Sequence, residues 1–66
     1  MNKVRGYRTM LGKTQEDMAK HLNISRQAYS EKERSHIPFK DSEKKMIKEV
    51  FSAAKEDITI DEIFFA

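Results

Sequence analysis

The chain has no cysteine and no tryptophan, and it carries one proline and two glycines. Without cysteine, neither a disulfide framework nor a thiolate metal site can staple the fold. Histidine is scarce too: His21 and His36 are the only two, too few for a zinc site, and no metal ligation is expected. No apolar run approaches the roughly 20 residues of a membrane helix, and no signal-peptide core follows the N-terminus. The sequence therefore reads as soluble and cytoplasmic, with no membrane partner. No nucleophile–base arrangement, glycine-rich phosphate loop or metal cluster is apparent, so no enzyme activity, cofactor or small-molecule ligand is expected. Glu16 and Asp17 are neighbours, but adjacent helical residues diverge by about 100°, and first-turn acids are explained by the helix dipole.

What is present is helix-forming and charged. The 66 residues make one domain, 1–66, near the lower size limit for folding unaided, so compact helix packing must supply stability, with a partner subunit as a further source left open. Charged residues make up 36% of the chain, yet the net charge is only +2, so the distribution of charge has to carry any nucleic-acid reading. Composition alone leaves a DNA binder, a protein-interaction module and a fragment of a helical assembly all open.

The few breakers divide the chain into short pieces. Val4, Tyr7 and Leu11 recur on one face of a helix over about Asn2 to Leu11, with Gly12 placed to end it in left-handed geometry. Thr14 and Asp17 resemble a capping box for a second helix whose buried stripe is Met18, Ala19 and Leu22. Asn23 tolerates the left-handed conformation that closes it. Ser25 then caps a third helix running to about Arg34. Only about three residues join these two helices, which implies a steep crossing. Ser35 to Lys40 reads as a loop, with Pro38 disfavouring helix at Ile37 and Phe39 folding back on the core. Asp41 or Ser42 opens a fourth helix with Met46, Ile47, Val50 and Phe51 on one face, fading near Ala54. Thr59 and Glu62 form a capping-box pattern before Ile60, Ile63, Phe64 and Phe65; this predicts a short fifth helix, with a β-like segment as the alternative. The fold class is thus all-α, a compact bundle of four to five short helices.

The most informative stretch runs from Thr14 to Arg34. A helix-turn-helix needs a small residue where its helices cross, a left-handed residue in the turn, and apolar residues after the turn and within the second helix. Ala19, Asn23, Ile24 and Tyr29 meet those needs in order. Arg8, Gly12, Thr14-Gln15, Ala19, Ser25 and Glu33-Arg34 stand at spacings that resemble the Cro and phage-repressor helix-turn-helix family, the xenobiotic-response-element type of transcription regulator. The resemblance covers about Val4 to Phe51 and implies a lambda-repressor-like DNA-binding domain. Asn23 replaces the usual glycine. Lys13 and Lys32 stand where the family often has apolar residues, and their stems are expected to follow the core while their charges stay in water.

The resemblance implies roles residue by residue. Arg8 pairs with Glu33, tying the first helix to the third. Gln15, at a helix N-terminus, touches phosphate, and Arg26 and Gln27 enter the major groove, followed one turn later by Ser30 and Glu31. Chemistry agrees: Arg26 can donate to guanine O6 and N7, Gln27 can pair with adenine N6 and N7, and Glu31 can accept from cytosine N4. Lys13, Lys20, Ser25, Arg34 and Lys40 are candidates for phosphate contacts, which position without reading sequence. His21 and His36 are expected to be solvated.

Ile60, Ile63, Phe64 and Phe65, within the segment 59–66, are the expected dimer contact, with closure of the core as the other reading. The leading function is a Cro-like repressor of phage or prophage type that binds a palindromic operator in double-stranded DNA as a homodimer. The alternative is a helix-turn-helix interaction module or antitoxin-like adaptor. The modest charge favours that rival, whereas the polar face of Arg26, Gln27, Ser30 and Glu31 suits bases.

Overall fold

The ends of the helices are set by side chains that satisfy backbone N–H groups, and most stand where the sequence puts them. The computed structural model describes residues 2–65 as five helices: α1 Val4–Met10, α2 Gln15–Leu22, α3 Arg26–Glu33, α4 Asp41–Phe51 and α5 Ile60–Phe64. No strand occurs among the described residues, so the C-terminal segment takes the helical alternative.

Thr14 and Asp17 exchange hydrogen bonds of 2.9 and 3.0 Å, a complete capping box for α2. Asn23 ends that helix with φ 59°, and Ser25 accepts from the Ala28 N–H at 3.1 Å to open α3. Gly12, at φ 72°, takes the left-handed geometry after α1 that a Cβ would strain.

One helix start departs from expectation, and two others keep their place with caps of their own kind. Helix α1 starts at Val4, because the Asn2 carboxamide accepts from the Val4 N–H and donates to Lys32 O and Ser35 Oγ. Asn2, one residue before the N-cap Lys3, therefore satisfies the first N–H of α1 and also ties the chain start to the end of α3. At α4 the Glu43 carboxylate accepts from the Lys40 N–H at 2.8 Å. At α5 Thr59 accepts from the Glu62 N–H, but the Glu62 carboxylate pairs with Lys55, leaving the expected box half made.

The core draws on every helix. Val4 comes from α1, Met18, Ala19 and Leu22 from α2, Tyr29 from α3, Ile47 and Phe51 from α4, and Ile63 from α5, all buried. Small Ala19 is buried in this core, and Met46 and Val50 pack as partly covered neighbours of it. Phe39 does fold back: its ring meets Tyr29 edge-on at 6.1 Å and Phe64 at 5.5 Å. Ile58, in the segment between α4 and α5, is also buried.

Lys32 corrects an expectation. Its residue is only 8% exposed, and its Nζ lies 2.7 Å from both oxygens of Glu43, which is buried too. The ammonium is not in water; it is taken into the protein with a counter-charge. Desolvating two charges costs several kcal/mol, and this pair is tolerable because Glu43 also receives the Lys40 N–H. Lys13, by contrast, is exposed as expected.

This arrangement predicts asymmetric costs in urea unfolding. Lys32→Met alone, which strands the Glu43 charge, is expected to cost about 3–5 kcal/mol. Combining it with Glu43→Leu should recover most of that loss. A double variant no more stable than the single one would show that the pair stabilises in its own right.

Candidate nucleic-acid interface

Eight-residue α2 and eight-residue α3 are joined by Asn23–Ser25, and α3 carries the residues of interest on its outer side. Tyr29 takes the inward position and is fully buried, so Arg26 and Gln27 are left exposed, with Ser30 and Glu31 half-covered. Gln15, Arg26, Gln27, Ser30, Glu31 and Arg34 line one shallow surface depression. The structure thus brings together all four residues expected to meet bases and two of those expected to meet phosphate.

What holds α3 is a buried clamp around Glu33. Arg8 donates from Nε to Glu33 Oε2 at 2.7 Å and from Nη2 to Oε1 at 3.2 Å, and its Nη1 donates to Lys13 O at 2.8 Å. Gln15 Nε2 adds a third donor to Glu33 Oε1 at 3.1 Å. The expected Arg8–Glu33 pair is therefore present, and the Gln15 carboxamide belongs to it as well, with its second amide hydrogen left for an outside acceptor. Burial pushes the Glu33 carboxyl up, but donation by Arg8 and Gln15 outweighs it and holds the group below its ordinary range. At Glu43 burial likewise works upward and is overcome by Lys32 and the Lys40 N–H. The Tyr29 hydroxyl is buried near this clamp, close enough for Glu33 to raise its pKa further after burial, yet no group meets hydrogen-bond geometry with it.

The remaining expected phosphate contacts are dispersed. Ser25 spends its hydroxyl on capping α3, Lys40 is exposed at the start of α4, and Lys20 faces Glu16 across 3.8 Å in a solvent-exposed pair of little energetic weight. Arg34 places Nη2 3.0 Å from Glu31 Oε1, with the rest of its guanidinium outward. Glu31 is also met by His36 Nδ1 at 2.9 Å. His36 is exposed, as expected, but it is not free. These contacts, His36 first, hold the Glu31 carboxyl below its ordinary range.

Arg5 is a residue the sequence reading passed over. It lines a second depression with Asn2, Arg8, Gln15, Glu33 and Arg34, beside the start of α2. Its signal was available, since it lies three residues before Arg8 on the same helical face. The charge distribution also sharpens: through His36 there are eight basic and four acidic residues, and after it five basic and seven acidic. The modest net charge hides a basic N-terminal half that carries α2 and α3.

The expected dimer contact needs correction. Ile63 is 0% exposed and serves the core, so it cannot meet a partner. Ile60 and Phe64 are half-buried, and Phe65 alone of the four is open, at 67%. Among the described residues no His/Cys/Asp/Glu group is placed to hold a metal ion, and no helix is long and apolar enough to cross a membrane. In comparisons with protein-family models, curated proteins and solved structures, nothing matches the chain, so its reading rests on its own residues.

The two buried carboxylates make stability depend on acid. Both are held below the ordinary glutamate range in the fold, so the unfolded chain binds more protons between the folded and unfolded values. Their contribution is complete above the unfolded value and is lost as pH falls through the lower folded value. Urea unfolding across pH 7 to 2 (about one unit per step) should show a plateau and then a fall below about pH 4. Glu33→Gln should flatten that fall; an unchanged profile would remove Glu33 from it.

Proposed function

We propose that this protein is a sequence-specific DNA-binding transcription regulator, a Cro-like repressor of the phage type, built on a lambda-repressor-like helix-turn-helix formed by α2 and α3. The observation that carries the reading is the exposed polar face of α3, where Arg26, Gln27, Ser30 and Glu31 share one depression with Gln15 and Arg34. The helix is fastened from behind by Tyr29, Glu33 and Lys32, so its outer side chains are presented on a rigid support. Rigid presentation matters because base readout depends on hydrogen-bond geometry at the groove floor.

In this reading α3 lies in the major groove. Arg26 donates to guanine and Gln27 pairs with adenine, each good bidentate contact discriminating by about 1–3 kcal/mol. Gln15, Lys13, Lys20, Ser25, Arg34 and Lys40, with Arg5 added, take phosphates on either side and set register. The protein binds as a homodimer, which gives two copies of α3 to a palindromic operator with half-sites about one helical turn apart. The surface that supports dimerisation is Phe65 with Ile37, 67% and 45% exposed, lining one depression with Pro38 and Phe64. Repression follows from occupying a promoter.

Affinity selection on randomised duplex DNA at about 150 mM salt tests this reading. The expected product is a palindrome with half-sites about 10 base pairs apart. Weak, salt-sensitive binding without enrichment would replace it with the interaction-module reading. Arg26→Ala should relax one base position. Lys20→Ala should weaken all sequences alike and reduce the salt slope by about one unit.

Dimerisation has its own test in sedimentation equilibrium. Phe65→Asp should yield a folded monomer with an unchanged melting transition, because the ring is mostly outside the core. A wild-type protein that is monomeric both free and on its operator would sink the dimer.

A further inference from the structure

Glu31 sits in an unusual position for a groove-facing residue: a carboxylate brought toward phosphates is repelled unless its charge is offset. Two cations or donors surround it here. Arg34 Nη2 donates to Oε1 at 3.0 Å, and His36 Nδ1 lies 2.9 Å from Oε2. Since an ionised carboxylate only accepts, Nδ1 carries the hydrogen in that contact. The backbone makes the arrangement specific. Ser35 turns the chain at φ 65°, a conformation a non-glycine residue adopts rarely, and the His36 N–H then donates to Glu31 O at 3.0 Å. His36 is thereby folded back over the residue five positions before it, joined to it by backbone and side chain together.

We propose that His36 and Arg34 are positioning residues that hold the Glu31 carboxylate in one orientation and so fix a cytosine at one position of each half-site. The inference rests on the DNA-binding reading above and deepens it. Each carboxylate oxygen keeps lone-pair capacity after its internal hydrogen bond, and Glu31 lines the depression shared with Arg26 and Gln27. Cytosine offers its N4 amino group as a donor in the major groove. Guanine and thymine present acceptors there, which the carboxylate repels, and adenine sets an acceptor beside its donor. The Arg34 charge offsets the carboxylate's and the His36 hydrogen bond holds it, so that it can approach the phosphate-lined groove without losing its acceptor character.

The test is the same selection on randomised duplex DNA, run on the whole chain with wild type, Glu31→Gln, His36→Ala and His36→Asn in parallel. Wild type should show one column per half-site dominated by cytosine. Glu31→Gln should lower that preference about ten-fold and leave the other columns intact. His36→Ala should lower it about five-fold at the same column, with an unchanged melting transition. His36→Asn, whose amide nitrogen takes the place of Nδ1, should restore it. A cytosine column untouched by His36→Ala, a loss spread evenly over all columns, or no rescue by asparagine would each overturn the positioning role. Failure of wild type to enrich any sequence would instead overturn the DNA-binding reading on which the inference stands.

Discussion

The Glu33 carboxylate is the point at which the first three helices are fastened together. It belongs to α3, accepts twice from Arg8 of α1 and once from Gln15 of α2, and has almost no exposed surface of its own. A buried charge of this kind is costly alone and acceptable only with its hydrogen-bonding capacity filled. The clamp is directional where the apolar core is not. Hydrophobic burial brings α3 against the bundle, and the donors on Glu33 decide its rotation about its own axis.

Lys32 extends that logic to the next helix. Its pairing with Glu43 crosses from α3 to α4, and Glu43 simultaneously closes the first turn of α4 by taking the Lys40 N–H. Successive residues of α3 thus point to opposite partners, Glu33 toward α1 and α2, Lys32 toward α4. In a chain with a small core and no cross-links, two ion pairs set the pose of one helix while Tyr29 fills the space between them. On the outer face of α3, Arg26 and Gln27 stay exposed and take no part in the core.

Much of the local architecture was legible because it depends on neighbours in sequence. The Thr14–Asp17 capping box, the left-handed Gly12 and Asn23, the Ser25 cap and the inward Tyr29 all follow from steric and hydrogen-bonding preferences acting within a few residues. The Arg8–Glu33 pair was legible for another reason, a matching set of residues in the family that the chain resembles. Lys32 was misread. The resemblance placed it where the family often has an apolar residue, and the expectation that its charge stays wet assumed no partner, whereas Glu43 lay eleven residues away on a helix not yet oriented. Ile63 was likewise offered as a contact for a second copy, although the same apolar residue closes this copy's own core.

By itself the sequence determined the all-helical class, the approximate spans of the first four helices and which of their faces turn inward, since those properties arise from short-range backbone chemistry and a 3.6-residue period. Only the tertiary structure decided which charges are buried together and which apolar residues remain outside. Burial and pairing depend on how whole helices are set against one another, and the residues that meet there, Lys32 with Glu43 or Asn2 with Lys32, lie 11 and 30 positions apart.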